Sequence, residues 1–555
     1  MSLKKFFLFG VLAFIFLQIN AQTIWENPNA QVYPYLQRMA QKGLVPLDDI
    51  VQPIPRSEII ATLLILQKSK SILSATEQLE LAFYLKEYSF GNKLMKDSST
   101  ISLLAKDNYK RWRTFSIESS DFNINADPII GAKFITGSGK SVKQVSNGIQ
   151  LWGNVGKHWG FQLYYRDYTE TGDVRNYYTV NGNNFSREES NTGIIVVGVN
   201  NDHKVNYSEV RANISYTFKK GSISFGKDRL LWGFGESGKI VLSERAPSYP
   251  LVRFDYHPLN WLRFNYMHAW LNSNLLDSNK TYNTYTGGVS GDVRVNNISK
   301  FMASHSIQFI PTKGLTIAIG ESIIFSDKHD PGFLIPINLF KVYDNNKSNY
   351  VINAGSNGQY FFQVSSRNQL KNTHIYGSMF IDELRLSEIF NKNKSRNQLG
   401  YTIGASKTDV FIPYLTLGAE YTRVNPFVYN NLIPAQKYTQ YDYSLGDWMG
   451  SNFGRKTFFA KYTPVANLKL YARIQLIDKG SEGNIVQQYT AEPQPKFLFD
   501  YQKSHSDFFL QATYEWYHNL YFNGSFQWLQ EKITTANNKK NTETLFSLGF
   551  SFGLH

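Results

Sequence analysis

The sequence contains no cysteine. That excludes a disulfide scaffold, zinc–thiolate sites, thiol catalysis and a lipid-modified N-terminal cysteine. Charged residues make up only 18% of the chain, below the quarter or so of soluble domains. Beyond the extreme N-terminus no long hydrophobic run occurs. The longest nearly apolar stretch, Ile59 to Leu66 with Thr62 inside it, falls far short of the roughly 20 residues a membrane helix needs. Aromatics, in contrast, are plentiful: 40 Phe, 35 Tyr and 10 Trp, or 15% of 555 residues. Such a chain is not disordered. Its length alone would suggest about three or four ordinary domains, but so low a charge does not suit several soluble units.

The N-terminus carries Lys4 and Lys5, then an uncharged apolar stretch from Phe6 to Leu17, then Gln-Ile-Asn-Ala21-Gln. This reads as a secretory signal peptide over residues 1–21, cut after Ala21. Ile19 departs from the small residue usual two positions before the cut. The apolar core is too short to anchor the chain. Removing two lysines and no acids lowers the formal charge from +14 to about +12.

Residues 22–110 read as a small helical module. Pro34 suits a helix start, Leu36, Met39 and Ala40 form an apolar stripe, and Gly43 sits where a C-cap belongs. A second helix is predicted over Glu58 to Lys70, with Ser57 as N-cap. Ser74-Ala-Thr-Glu77 has capping-box spacing and opens a third helix reaching about Tyr88. Nothing in the module has catalytic spacing.

From Arg111 the periodicity changes to two. Leu468, Leu470, Ala472, Ile474 and Leu476 alternate with Lys469, Tyr471, Arg473 and Gln475. The same grammar runs through Val210 to Phe218, Phe508 to Tyr517 and Phe546 to Leu554. Runs of about 9–11 residues with one apolar face match tilted transmembrane strands. A soluble sheet with one wet face would alternate too. Two features favour the membrane. Apolar faces end in aromatics such as Trp270 and Trp516, and tight turns (Lys157-His158, Lys219-Lys220-Gly221, His518-Asn519) alternate with long polar segments near 171–204, 232–249, 272–298, 327–357, 425–453 and 479–504. Tight turns on one side and long loops on the other are the habit of outer-membrane barrels. The predicted fold over 111–555 is an all-β membrane protein, an antiparallel barrel of about 18 strands. Its first strand begins near Thr114 and its last, Thr544 to Leu554, closes on the first.

Two nucleotide-binding patterns fail on context. Gly233-Phe-Gly235-Glu-Ser-Gly238 matches G-x-G-x-x-G but opens no helix. Thr136-Gly-Ser-Gly-Lys140-Ser141 lacks the first P-loop glycine, because Phe134 stands there. The histidines show no H-x-x-x-H or H-E-x-x-H spacing, so no metal or cofactor is expected. His268 falls in phase with an apolar strand face, which places its ring at headgroup level. A Ser/His lipase on barrel strands stays open as an alternative.

The basic balance does not call for nucleic acid in an exported barrel. Arg211, Arg263, Lys469 and Arg473 fall on polar strand faces, so they form an inward basic lining able to attract anions or acidic polysaccharide. Glu209 and Glu515 dilute it. Loop aromatics, among them Tyr177, Tyr178, Phe185, Tyr282, Tyr285, Tyr438, Tyr441 and Trp448, offer flat apolar faces with polar tips for sugar rings. Loop-on-loop packing is the plainer role for each one singly.

Two stretches carry a resemblance. One is Tyr33-Pro-Tyr-Leu-Gln-Arg-Met-Ala-Gln-Lys-Gly43-Leu with Pro55-Arg-Ser-Glu-Ile59. The other is Ser224-Phe-Gly226-Lys-Asp228-Arg-Leu-Leu-Trp232-Gly233-Phe-Gly235, continued by Val241-Leu-Ser243-Glu-Arg-Ala-Pro247. With the signal peptide and length, the chain resembles the Wzi-type capsule assembly family in its Bacteroidetes-like form. The resemblance implies an 18-stranded outer-membrane barrel, a periplasmic helical bundle and a lectin-like, non-enzymatic role in tethering capsular polysaccharide. Gly226, Asp228, Trp232, Gly233, Gly235 and Ser243 belong to the shared motif and are read as structural. Glycines beside a strand end let a chain kink or approach another backbone, so 226–247 is expected to leave the wall and fold over or into the lumen. Expected partners are surface polysaccharide, outer-membrane lipid, and periplasmic or export-machinery proteins. A substrate-selective porin or hydrophobic-solute channel is the alternative function.

Overall fold

The computed structural model describes residues 23–90, 99–174, 179–180, 183–184, 203–284, 293–348, 355–384, 386–388, 390–391, 394, 397–534 and 539–553. The signal-peptide reading therefore lies outside the described residues.

Helix α1 spans Val32–Gln41. Pro34 is its third residue, still within the first turn, where an N–H has no intrahelical partner to lose. The helix ends in a Schellman turn: Gly43 N donates to Ala40 O at 2.9 Å and Leu44 N to Met39 O at 3.0 Å. Gly43 adopts φ +74°, a conformation glycine takes without strain. Helix α2 spans Arg56–Lys68, two residues earlier than expected, and Ser57 is not its cap. Arg56 N instead donates to Ile24 O at 2.8 Å, so the segment before α1 satisfies the start of α2. Helix α3, Ala75–Tyr88, has the expected capping box between Ser74 and Glu77. Buried Tyr35, Leu36, Met39, Ile59, Leu63, Leu66 and Leu81 form the core of the bundle.

The strands close into an antiparallel barrel of 18 strands. They are β1 Phe122–Gly137, β2 Lys140–Val155, β3 Trp159–Gly172, β4 Lys204–Phe218, β5 Gly221–Asp228, β6 Tyr249–Leu259, β7 Leu262–Leu276, β8 Asn297–Thr312, β9 Leu315–Ser326, β10 Asn357–Arg367, β11 Thr373–Glu383, β12 Gln398–Thr408, β13 Leu415–Val424, β14 Phe453–Val465, β15 Leu468–Lys479, β16 Lys503–Tyr517, β17 Leu520–Ile533 and β18 Lys539–Phe552. The barrel closes where β18 pairs with β1, Phe546 opposite Thr136 and Phe552 opposite Ile130.

The first wall strand is thus Phe122–Gly137, not one starting near Thr114. Trp112–Glu118 pairs with Thr100–Lys106 and with the start of β1, Phe115 opposite Ala126. The C-terminal strand runs out at Phe552, and this N-terminal hairpin satisfies the stretch of β1 left beyond it. Thr100–Lys106, inside the 22–110 stretch read as helical, is therefore a strand.

The alternation decides which face meets lipid. Ile214, Ile474, Leu476, Leu510, Trp516, Phe546 and Leu548 are exposed outward, whereas Arg211, Asn213, Arg473, Gln475 and Asp507 are buried inward. Connections on one rim are short: 156–158, 219–220, 260–261, 313–314, 368–372, 409–414, 466–467 and 518–519. Most on the other rim are long. No helix among the described residues is long and apolar enough to cross a membrane, and the wall crosses with strands.

The helical module sits against the short-turn rim. Arg38 pairs with Glu80 and donates to Thr463 Oγ1 at 3.0 Å. Gln41 donates to the carbonyls of Asn372 and Ser406, and Lys42 meets Asp409 at 3.0 Å. Asp49 accepts two hydrogen bonds from Arg367, at 2.7 and 2.9 Å. The Arg253 guanidinium lies over the Trp25 ring at 3.7 Å.

Candidate functional site

After Asp228 the chain leaves the wall and returns at Tyr249, close to the expected 226–247. Its contacts show where it goes. Phe234 N donates to Ser378 Oγ on β11 at 3.0 Å. Glu236 N donates to Glu420 Oε2 on β13 at 2.7 Å, and Lys461 on β14 pairs with the Glu236 carboxylate at 2.8 Å. A segment that departs between β5 and β6 and touches β11, β13 and β14 has crossed the lumen. Near its base Trp232 pairs with Val51 of the helical module, and Gly233 N donates to Ile50 O at 2.8 Å. Loop and module thus meet inside the barrel.

The motif residues serve this crossing. A Cβ on Gly226 would lie 2.1 Å from Ala212 O, so β5 approaches β4 too closely for a side chain there. Asp228 accepts from Asn213 Nδ2 at 2.8 Å. Trp232 is fully buried, edge-on to Phe361 at 5.5 Å. Gly233 adopts φ +102°, and a Cβ on Gly235 would lie 1.8 Å from Gly238 O. Ser243 Oγ donates to Gly446 O at 2.5 Å. No helix opens at Gly233–Gly238, as the failed dinucleotide context required.

The 425–452 segment lies over the crossing loop. Tyr429 and Tyr438 hydroxyls donate to the carbonyls of Ile240 (2.7 Å) and Val241 (2.9 Å). Ser243 N donates to Leu445 O at 2.8 Å. Buried Trp232, Ile240, Val241, Phe361, Phe380, Tyr429, Tyr438 and Phe453 belong to one apolar cluster filling this part of the lumen.

Above it the long-loop face is polar and aromatic. The Arg245 guanidinium stands over the Tyr443 ring at 5.5 Å. Burial lowers the pKa of Arg245, partly countered by Tyr443 and Asp447. Arg229 donates to Glu244 O at 3.2 Å and pairs with Glu209 at 3.3 Å. Asn274 donates to Asp442 at 2.6 Å, and Tyr441 N to Asn272 O at 2.9 Å. Cation, ring and hydrogen-bonding groups in one face are what a sugar polymer can use.

The residues proposed for glycan from sequence scatter. Arg263 pairs with Asp48 at 3.0 Å, and Lys469 donates to Gln31 O at 3.1 Å and to the Tyr84 hydroxyl, so both fasten the helical module. Arg211 lies beside Glu209 and over Tyr164, on an internal cavity that Trp25, Arg56 and Asp228 also line. Arg473 pairs with Asp507 at 2.7 Å. Trp448 donates its indole N–H to Ser237 O at 2.7 Å and is half-buried on the plug. Tyr441 lies on the long-loop face, Tyr282 is exposed in the 277–296 segment, and Tyr438 is an interior residue. Tyr177, Tyr178, Phe185 and Tyr285 lie outside the described residues. The sequence pattern alone does not single out Arg245, Arg229 or Tyr443. Arg229 and Arg245 stand inside the shared motif, which drew attention to its glycines rather than to its cations.

Ser365 Oγ and His374 Nε2 are 2.9 Å apart, but beneath Phe234 within the barrel. Among the described residues no carboxylate hydrogen-bonds to His374, and no group of three or more His, Asp or Glu could hold a metal. His268 does face outward from β7, yet it is fully buried rather than at a headgroup surface. His329, 3.2 Å away, covers it.

Residues 156–545 match the family model of capsule assembly protein Wzi. Among solved structures, Wzi of Escherichia coli, described as a carbohydrate-binding β-barrel involved in group 1 capsule assembly, is similar at 13% identity and a TM-score of 0.58, with 96% of this chain and 99% of that chain covered. OprD of Pseudomonas aeruginosa is similar at 11% identity and a TM-score of 0.41, with 77% and 94% covered. No curated protein sequence matches the chain.

Proposed function

Since this chain belongs to the Wzi family of capsule assembly proteins, we propose that it is an outer-membrane protein that holds capsular or surface polysaccharide at its long-loop face, without catalysis. The Arg245–Tyr443 pair, set on a filled lumen, carries this reading. A sugar ring gains apolar contact from the tyrosine face, and a uronic or other acidic group gains the guanidinium. Each contact is weak. A repeating polymer engages many copies in turn, and avidity supplies the net hold.

Carbohydrate binding by the Escherichia coli relative supports the same assignment. The packed crossing loop argues against a porin, because Trp232, Tyr429 and Tyr438 occupy the path a solute would take. Ser365 is buried and its partner His374 half-buried beneath Phe234, and this setting argues against a lipase. With tight turns on the periplasmic side, as in other barrels, the helical module faces the periplasm, where export proteins could meet it.

Binding of purified protein to acidic capsular polysaccharide on a sensor surface tests the proposal. Saturable binding that weakens with salt and with Arg245→Ala is expected. Equal binding by wild type and by a barrel lacking 229–248 would overturn it.

A further inference from the structure

The 327–356 segment, which reads as a polar outer loop, does not sit over the lumen in its first half. On β7, β8 and β9 the residues facing the lumen include Met267, Ala269, Met302, Ala318 and Ile324. Tyr266, His268, Phe301, Ala303, His305, Glu321, Ile323 and Phe325 alternate with them and face outward. Phe333 and Phe340 pack on that outward set. Tyr266 Oη donates to Phe333 O at 2.9 Å, and the Phe340 ring lies 4.4 Å from the His305 ring. The segment is a flap on the outside of the wall.

Beneath it lies a carboxylate that lipid would not tolerate. Glu321 stands in one lateral row with Tyr266, His305 and Tyr360. Tyr360 in that row is exposed outward, and so are Ile307 and Ile319, one outward position nearer the short turns. Bare carboxylates at lipid-facing positions destabilise barrels. Here helix α4, Phe340–Ser348, turns its first N–H groups onto the carboxylate. Phe340 N donates to Oε2 at 3.0 Å and Lys341 N to Oε1 at 2.6 Å. His305 donates from Nδ1 to Pro336 O at 2.9 Å. Asp330 fixes the flap further, accepting from Gly332 N, the Tyr343 hydroxyl and Lys347.

The other side of the flap is apolar and uncovered: Leu334, Ile335, Ile337, Leu339 and Val342 are exposed, Ile337 at 81%. Aliphatic side chains gathered in one exposed patch mark a contact surface. This patch continues the exposed belt of Ile307, Ile319, Tyr360 and Phe362 on the same wall.

We propose that residues 334–342 form a lipid-facing appendage of the barrel, lying in the apolar layer of the outer membrane and sealing Glu321 and His305 away from acyl chains. The occupant of the patch is lipid, because the patch extends a surface that is already lipid-facing. The inference rests on the outer-membrane reading of the barrel. It adds a membrane contact made by a loop rather than by a strand.

The natural absence of cysteine permits a clean test. Single variants Ile337→Cys and Leu339→Cys carry a nitroxide in the full-length protein, reconstituted in phosphatidylcholine vesicles. Ile319→Cys reports the wall and Lys280→Cys the water-exposed loops. Collision with oxygen should exceed collision with a nickel chelate several-fold at Ile337 and Leu339, as at Ile319. Nickel access equal to that at Lys280 would overturn the proposal while leaving the wall reading intact. Shielding from both reagents, or dipolar broadening between labels, would mean a protein occupant and would equally overturn it. Loss of oxygen preference at Ile319 as well would instead refute the barrel's membrane placement.

Discussion

Asp447 and Arg455 meet through two hydrogen bonds, Nη1 to Oδ1 at 3.0 Å and Nη2 to Oδ2 at 2.7 Å, and neither side chain is exposed to solvent. Arg455 belongs to the wall strand β14 and Asp447 to the 425–452 segment, so the pair ties the plug to the barrel. Removing one partner of a buried pair leaves an uncompensated charge at a cost of about 3–5 kcal/mol. Asp447→Ala should therefore loosen the plug without unfolding the wall. In planar bilayers the wild type is expected to stay silent and the variant to show intermittent conductance.

A second prediction concerns the helical module. Asp49 accepts two hydrogen bonds from Arg367 on β10 and one from Gln37 of α1. Asp49→Ala should weaken docking by a similar ~3–5 kcal/mol. Limited proteolysis in detergent should then cut residues 44–55 faster, with the barrel fragment still resistant.

The crossing loop depends on backbone that only glycine permits. A Cβ at Gly235 would lie 1.8 Å from Gly238 O. Gly235→Ala must shift the loop, and forced backbone strain of this kind costs about 1–3 kcal/mol. Faster hydrogen exchange over 229–248 is expected, with strand amides of β10 and β11 unchanged.

The contact of α1 and α3 with the 409–414 turn should depend on pH. Burial acts to raise the Glu77 carboxyl, but hydrogen bonds from Lys42 and Ser74 outweigh it and hold the pKa below 4.5. That contribution is present above pH 4.5 and is lost as pH falls through the lower folded value. Burial acts to lower Lys42, but Glu77 and Asp409 outweigh it and hold its pKa above 10.5. Its contribution is present below pH 10.5 and is lost as pH rises through the higher folded value. Protection of the amides near Gly43 should be flat between these limits and fall outside them. In Lys42→Met the alkaline loss should vanish and the acid loss shrink.

The barrel was legible because alternation is a local property. Ile474 and Gln475 declare their faces from neighbours alone, and the strand count followed from turns. What the inward charges do was not legible. Arg263 and Arg473 look alike on strand faces, yet one holds Asp48 of the helical module and the other Asp507 of the next strand. Partners that distant in sequence leave no periodic mark. The outer flap did leave a trace: Ile317, Ile319, Glu321, Ile323 and Phe325 form one outward row with a single carboxylate in it. Tyr438 and Tyr443, close neighbours in one loop, part company because only Tyr438 turns its hydroxyl onto the crossing loop.

The amount of cell-bound and shed polysaccharide in an encapsulated strain lacking this protein tests the capsule-holding role most directly. The cell-bound pool should fall and the shed pool rise, and wild type should restore both while the Arg245→Ala, Tyr443→Ala double variant restores them poorly. Unchanged bound and shed pools in the deletion strain would contradict it.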